Sequence, residues 1–363
     1  MQTQKRDLLR RAKIARILLL SSILTGCCFV SLGIAEQPTF HQVEIRYAQG
    51  FSIDYLDNAK LVTVFNPWQA TDLSYQYLLV QRGTSPPKGY EDIPHIEIPV
   101  RSVVTLSTTH LAYLEQLDLL DTLVGYGTFD HVYSAEARTR IAAGQIREIG
   151  DGANVNVEVV MDLNPDLIMT YAIGSPYDAH FKLVEANLKV VINAEYLERT
   201  PLGRAEWIKF LAAFFNKEAE ADAIFDRIAA AYEAMAAKTQ DIDHKPTVFL
   251  NAPYEGNWWI SGGKTYLVKL LADAGAHYLW ADDPSSGSRI LDFEAVYETA
   301  ANAEYWLNPG QADSLTELLS IDERLAAFEA FQTGNVYNNN ARVNQYGGND
   351  YWESGLTRPD LVV

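Results

Sequence analysis

A proline-free stretch between residues 203 and 239 constrains the architecture of this chain most, because strand and helix patterns alternate on both sides of it. Ile208, Leu211 and Phe215 fall at the i, i+3 and i+7 spacing of one apolar helix face. Asn216 predicts a break, which leaves a second helix of about 22 residues, or roughly 33 Å, the width of a small domain. A helix of that length can connect two domains rigidly.

The flanking regions show short apolar strand patterns separated by helix patterns. Before the stretch, strands are predicted at 103–106, 123–126, 167–170 and 189–192, with helices starting at 111 and 157. After it, strands are predicted at 247–250 and 305–307, with helices at 266–274 and 293–300. Such alternation predicts parallel sheets covered by helices. The expected fold is α/β, with two parallel-sheet α/β lobes joined by a single long rigid helix.

The predicted domain boundaries follow these patterns. Residues 100–202 form the N-terminal lobe, residues 203–240 the linking helices, and residues 241–363 the C-terminal lobe. Short strand patterns at 52–55, 61–65 and 75–81, separated by polar or proline-containing breaks, predict a small N-terminal β-hairpin region within a tether and β preamble at 27–99.

The first 26 residues have the order of a lipoprotein signal peptide. A basic segment at 5–16 precedes the apolar stretch Ile17 to Leu24. The sequence then reads Leu24-Thr25-Gly26-Cys27, which looks like a lipobox and makes Cys27 the predicted lipid anchor. Two alternatives remain open, namely signal cleavage after Ala35 and an uncleaved anchor over 17–35.

The charge balance excludes one large class of partners. The chain has 29 Lys and Arg against 47 Asp and Glu, a net charge of −18. Residues 1–26 carry six of the cations and one of the anions, so their removal would leave −23. So acidic a surface repels nucleic acid. The only cysteines, Cys27 and Cys28, are adjacent and provide no disulfide framework.

Taken together, these features resemble a class III periplasmic binding protein over residues 100–363. The resemblance is carried by the lipobox, the strand at 103–106 that runs into Ser107-Thr108-Thr109, the segment 156–166, the linking helices and the second lobe. Such proteins are substrate-binding lipoproteins of ABC importers for ferric siderophores, haem and cobalamin. The resemblance implies a ligand held between two lobes with little closure, a monomer, no chemical step and no cofactor.

Two further features bear on the resemblance. The β preamble resembles an N-terminal hairpin found in a siderophore-type branch of the family. At the other end, family members continue into a C-terminal helix where this chain stops at Val363. We therefore expect that the C-terminal lobe is truncated and exposes apolar surface.

Family members dock on their permease through one glutamate on each lobe, and Glu158 and Glu294 stand at the matching positions. A carboxylate is a planar, bidentate match for the guanidinium groups of a partner. The alternative is purely structural, because Asn156 and Asp292 are typical N-caps and a glutamate two residues later favours the helix dipole.

Candidate ligand-binding residues follow predicted strands, since parallel α/β lobes bind ligands at the carboxyl ends of their strands. The candidates are Thr108, Thr109, His110, His131 and Tyr171 in the first lobe, and Tyr254, Trp258, Trp259, Arg289 and Arg342 in the second. Aromatic side chains suit a large flat ligand, and arginines suit an anionic ferric complex. The tryptophans are equally suited to a core, the arginines to surface ion pairs, and the histidines to iron ligation or to ordinary polar roles.

Two other classes of function are less well supported by the residues. A direct divalent-metal binding protein needs converging ligands, but the seven histidines form no His-x-His or His-x-x-x-His pair, so no metal site is predicted. Ser261-Gly262-Gly263-Lys264 fits a Ser-x-x-Lys enzyme motif without its Lys-Thr-Gly partner, and it fits a phosphate loop only if Trp258 were glycine. We interpret the two glycines as a turn before a helix.

These observations predict an exported, membrane-anchored solute-binding lipoprotein of the periplasm or cell surface. It captures an iron-siderophore or similar ferric chelate and delivers it to an ABC permease. Cobalamin or haem binding by the same fold is the alternative, and direct divalent-metal binding is a third possibility.

Overall fold

The structure is a computed structural model that describes residues 40–363. The predicted signal peptide and Cys27 lie outside these residues. Within them, no helix is both long enough and apolar enough to span a membrane.

The β preamble is a four-stranded sheet, larger than the hairpin that the sequence predicts. Its strands, in spatial order, are β1 (Phe51–Tyr55), β2 (Ala59–Phe65), β3 (Ser74–Gln81) and β4 (His95–Ile98). The first three pair antiparallel, and β4 adds parallel to β3. Strand β4 was not predicted because it is only four residues long and lies between Pro94 and Pro99.

The first lobe is a five-stranded parallel sheet with helices on its faces, as predicted. Its elements are β5 (Val103–Thr105), α1 (Thr108–Gln116), β6 (Leu123–Tyr126), α2 (Ala135–Ala142), β7 (Arg147–Glu148), α3 (Val157–Leu163), β8 (Leu167–Thr170), α4 (Ala179–Glu185) and β9 (Val190–Ile192). The strand order is β7-β6-β5-β8-β9. Strands β5, β8 and β9 are buried throughout, as expected for a parallel sheet covered on both faces.

Three helices link the lobes: α5 (Pro201–Ala205), α6 (Trp207–Ala213) and α7 (Glu218–Ala236). The predicted break at Asn216 is confirmed, since this residue is left-handed with φ of 55°. Helix α7 has 19 residues and continues into a short 3-10 turn, Ala237–Thr239. Near its end, the Tyr232 hydroxyl donates to Asp273 Oδ2 in the second lobe at 2.6 Å, so the helix joins the two lobes.

The second lobe contains a four-stranded parallel sheet and a separate antiparallel strand pair. Its elements are β10 (Thr247–Leu250), β11 (Trp258–Ser261), α8 (Tyr266–Asp273), β12 (His277–Tyr278), β13 (Ser288–Leu291), α9 (Phe293–Ala300), β14 (Tyr305–Leu307), α10 (Leu315–Ile321), α11 (Glu329–Thr333) and β15 (Val336–Tyr337). The parallel order is β12-β10-β14-β15, and β11 pairs with β13. The buried Phe249 ring stacks against Trp306 and against Phe328, with centroids 5.0 Å apart in each pair, and these three rings pack together in the core of the lobe.

The C-terminal segment, residues 344–363 with α12 (Ser354–Thr357), differs from the predicted boundaries. The sequence predicts that this segment belongs to the second lobe, but the segment packs on the first lobe. Gln116 Nε2 donates to Thr357 Oγ1 at 2.7 Å, and Asn344 Nδ2 donates to the Val132 carbonyl at 2.9 Å. Apolar contacts continue to Val363, which packs against the core that the first lobe shares with the β preamble and the linking helices.

A buried ion pair attaches the β preamble to the linking helices. Lys60 of β2 is fully buried and pairs with Glu218 at the start of α7. Its Nζ also donates to the Ala213 carbonyl at 2.8 Å and to Asn216 Oδ1 at 2.9 Å. Burial lowers the pKa of Lys60 and raises the pKa of Glu218, while the attraction between the two charges opposes both shifts.

Removing one partner of this pair should destabilise the fold strongly. We expect Lys60→Met to lower the free energy of unfolding by about 3–5 kcal/mol, because Glu218 is then left charged without a partner in a dry site. Urea denaturation followed by circular dichroism measures this change. The control is Lys217→Met, which breaks the exposed Lys217–Glu220 pair and should cost less than about 1 kcal/mol. Equal losses in the two variants would contradict the assignment.

Candidate functional site

A cavity of about 310 Å³ lies at the carboxyl edge of the first-lobe sheet. Its walls come from the ends of successive strands and from the C-terminal segment. The lining residues are Leu106, Ser107, Thr108, Tyr126, Thr128, His131, Asp151, Tyr171, Gly347, Asn349 and Trp352. Parallel strands end at one edge of their sheet, which brings residues following β5, β6, β7 and β8 together.

A tyrosine and an aspartate form the polar centre of this cavity. The Tyr171 hydroxyl donates to Asp151 Oδ2 at 3.2 Å, and Asp151 Oδ1 accepts from the Gly152 amide at 2.7 Å. Burial, followed by the negative charge of Asp151, raises the pKa of Tyr171 to about 12. The phenol therefore stays protonated at neutral pH, and the pair presents both a hydroxyl and a carboxylate to a ligand.

The C-terminal segment supplies the remaining wall. Thr108 Oγ1 donates to the Trp352 carbonyl at 2.8 Å, and the half-exposed Trp352 indole packs edge-on against Tyr351. The next residue, Glu353, accepts hydrogen bonds from the amides of Tyr133 and Ser134 at 2.7 and 2.8 Å. Burial raises the pKa of Glu353 to about 7, and the two amide donors oppose that rise. These contacts hold Trp352 at the cavity.

Three of the five predicted first-lobe residues line the cavity, namely Thr108, His131 and Tyr171. The other two do not, because α1 begins at Thr108 and turns the following side chains into the core. Thr109 is buried and its Oγ1 donates to Glu195 Oε1 at 2.8 Å. His110 is fully buried, and burial lowers its pKa to about 4, so it is neutral at physiological pH. The prediction that these two contact ligand is corrected.

The prediction that Trp258 contacts the ligand is also corrected. Side chains alternate between the two faces of β11, and that of Trp258 points into the core. It is fully buried against Phe249 and Phe328, and its Nε1 donates to the Leu250 carbonyl at 2.9 Å. Its neighbour Trp259 points outward and is 46% exposed. Trp258 is therefore a core residue of the second lobe.

The remaining second-lobe candidates are exposed but do not line this cavity. Tyr254 and Trp259 belong to the region of β11, and Arg289 of β13 pairs with Asp283. Arg342 pairs with Asp350 at 3.1 Å and stacks over the Tyr133 ring. Arg342 therefore connects Asp350 of the C-terminal segment to Tyr133 of the first lobe.

Sequence reasoning missed Asp151, Tyr126 and Asn349 as lining residues. Asp151 follows β7, which has only two residues, both exposed, and so leaves no apolar strand pattern. Tyr126 is the last residue of β6, and its place in an apolar strand pattern predicts burial but no contact with a ligand. Asn349 was hidden because nothing in the local sequence indicates that its segment returns to the first lobe.

The two predicted docking glutamates occupy equivalent positions in the two lobes. Glu158 and Glu294 are exposed in the first turns of α3 and α9, whose N-caps are Asn156 and Asp292. Glu294 pairs with Arg324 at 2.8 Å. Both carboxylates are accessible to a partner.

In the part of the chain that the structure describes, no group of three or more His, Cys, Asp or Glu is placed to hold a metal ion. The cavity instead combines hydroxyl groups, one carboxylate, one imidazole and three aromatic rings. This set suits hydrogen bonding and stacking with an organic ligand.

Comparisons with known proteins agree with this architecture. An uncharacterized lipoprotein of Methanocaldococcus jannaschii is 25% identical over 340 residues, covering 88% of this chain and 80% of that protein. A possible iron-binding, periplasmic solute-binding protein from Staphylococcus epidermidis has a TM-score of 0.55 at 16% identity, covering 73% of this chain and 100% of the other. A periplasmic haem-binding protein of Vibrio cholerae has a TM-score of 0.54 at 16% identity, covering 72% and 98%.

The solved structures are too distant in sequence to show more than the fold. The family assignment comes from a model described as periplasmic binding protein, which matches residues 103–343. This match includes both parallel sheets and the linking helices, and it confirms the resemblance drawn from the sequence. The chain belongs to the periplasmic binding protein family.

Proposed function

We propose that this protein captures a ferric siderophore or similar iron chelate and delivers it to an ABC permease. Its family consists of solute-binding proteins that carry out no chemical reaction and work with a membrane importer. The observation that carries the choice of ligand is the cavity, which is lined by both aromatic rings and hydrogen-bonding groups. The similarity to a possible iron-binding protein from Staphylococcus epidermidis supports the same choice.

The cavity chemistry matches a chelate with aromatic or planar arms. Tyr126, Tyr171 and Trp352 offer ring faces, while Thr108 and the Asp151–Tyr171 pair offer polar atoms. A ferric chelate with excess negative charge needs a local cation in a chain with net charge −18. Two candidates are His131, which lines the cavity, and the exposed Arg342, which pairs with Asp350 next to the lining residue Asn349.

Haem is the second candidate because of one residue, His131. Its imidazole is exposed and lines the cavity, so it is a candidate axial ligand for haem iron. The similarity to the haem-binding protein of Vibrio cholerae favours the same alternative. Cobalamin remains a sequence-based alternative without a specific structural observation.

The proposal includes attachment to a membrane through lipidated Cys27. This follows from the lipobox and from the similarity to a protein named as a lipoprotein. Mass spectrometry of the membrane-bound protein tests the anchor directly, since a mature chain beginning at diacylated Cys27 is expected.

Trp352 should report ligand binding. We expect a ferric catecholate, hydroxamate or citrate complex to quench the fluorescence of the full chain at submicromolar concentration. Trp352→Ala should weaken binding about tenfold, because it removes a ring face of the cavity. Trp259→Ala is the matched control, an outward-facing tryptophan away from the cavity, and should bind as the wild type does.

The same titration includes haem, cobalamin and free divalent metals. A response to haem or cobalamin alone would show that the proposed ligand is wrong. The assignment of the binding cavity would still hold if Trp352→Ala weakened binding of that compound. A response to free metal ions alone would overturn the proposed cavity chemistry.

We also propose that Glu158 and Glu294 dock the protein on its permease. Each carboxylate lies in the first turn of a helix on a different lobe, so a partner with two suitably spaced arginines would contact both lobes at once. The Arg324 side chain already pairs with Glu294, which shows that this carboxylate accepts a guanidinium.

The double variant Glu158→Ala/Glu294→Ala should bind ligand normally and abolish uptake. The physical reason is that both side chains are exposed away from the cavity, so only the partner interaction is lost. Uptake of the labelled ligand by cells that carry the variant measures the effect. Asp162→Ala/Glu298→Ala, on the same two helices, is the control; uptake lost equally in both variants would refute the docking role.

A further inference from the structure

A second cavity, of about 400 Å³, is lined by the end of the first lobe and by the second lobe. One wall is Arg199, which lies between β9 and α5 at the end of the first lobe. The other lining residues belong to the second lobe: Gly263, Lys264, Thr265, Val268, Lys269, Ala272 and Ala281. None of these residues lines the cavity that we assign to the transported ligand.

This cavity concentrates positive charge in an acidic chain. Arg199 and Lys264 have neither an ion pair nor a side-chain hydrogen bond with any of residues 40–363, while Lys269 pairs with Asp273 of its own helix. Acidic side chains outnumber basic ones, 47 to 29, so most cations could find a carboxylate partner. Arg82 and Arg324, for example, each pair with two carboxylates. Two unpartnered cations that line one cavity create a positive potential there, which favours an anion.

The backbone that carries Lys264 is held in place. The amides of Gly262, Gly263 and Lys264 donate to the carbonyls of Gly287, Asp283 and Ser285 at 2.8, 3.1 and 3.0 Å. A Cβ at Gly263 would lie 2.1 Å from the Ala281 carbonyl oxygen, so glycine is required there by close packing. The predicted turn before a helix is therefore a tightly packed one, and Lys264 projects from a rigid support.

We infer that this cavity binds the phosphate group of a small organic phosphate. The two unpartnered cations match the charge of a phosphate dianion, and guanidinium and ammonium groups both bind phosphate oxygens well. Val268, Ala272 and Ala281 form an apolar wall beside them, which suits the carbon part of an ester. The bound anion would contact Arg199 of the first lobe and Lys264 of the second. This site is independent of the proposed iron-chelate cavity.

Calorimetric titration of the full chain with glycerol 3-phosphate and inorganic phosphate tests the site, at constant ionic strength. We expect one phosphate probe per chain, and binding at least tenfold weaker in both Arg199→Gln and Lys264→Gln. Arg227→Gln is the matched control, because Arg227 is exposed on α7 and also has no ion pair among the described residues. Thermal unfolding without phosphate should be the same for all variants, since the substituted side chains are exposed.

A lipid headgroup could supply the same chemistry, so a second arm uses the full chain in phosphatidylcholine nanodiscs with or without phosphatidic acid. A rise in unfolding temperature with phosphatidic acid that disappears in Arg199→Gln and Lys264→Gln would support the site with a lipid as its source. Equal affinity of all variants for the phosphate probes, or no response to phosphate, glycerol 3-phosphate or phosphatidic acid, would overturn the proposal. Iron-chelate binding is measured separately, so either proposal can fail alone.

Discussion

Buried charge at the base of the linking helices is the constraint on which the rest of the arrangement depends. Lys60 of the β preamble pairs with Glu218 at the start of α7, and Lys209 of α6 pairs with Glu206 and with Asp222 of α7 at 3.1 and 2.9 Å. A buried charge without a partner is very costly, so these elements can meet in few geometries. The β preamble, α6 and the start of α7 therefore form one rigid base, from which the rest of α7 extends to the second lobe.

Two buried carboxylates, Glu206 and Glu198, hold the segment that precedes the first strand. Glu206 accepts hydrogen bonds from the amides of residues 46–48, and Glu198 accepts from the amides of Gln49 and Gly50 and from Trp207 Nε1. Burial raises the pKa of Glu198, and these donors oppose the rise. Residues 46–50 are thus held against Glu198 and Glu206 through their backbone amides.

The two cavities follow from this rigidity in different ways. The first is built almost entirely on one lobe, at strand ends whose positions are set by the sheet. The second lies between Arg199 of one lobe and Lys264 of the other, so its shape depends on how the linking helices set the lobes relative to each other. A solute in the first cavity and an anion in the second would therefore bind to the same protein without contacting a common lining residue.

Local patterns in the sequence determined the two α/β lobes, the break at Asn216 and most strand ends, because burial on both faces of a parallel sheet requires short apolar runs. Those runs also located Thr108, His131 and Tyr171 at the cavity. Only the tertiary structure decided that Trp258 is buried. The side chains of β11 alternate between its two faces, and the pairing of β11 with β13 decides which face turns to the core. The tertiary structure also decided that Trp352 meets Thr108, 244 residues away in sequence. Contacts between distant segments depend on packing and hydrogen bonds, and these do not produce a periodic pattern of apolar residues in either segment.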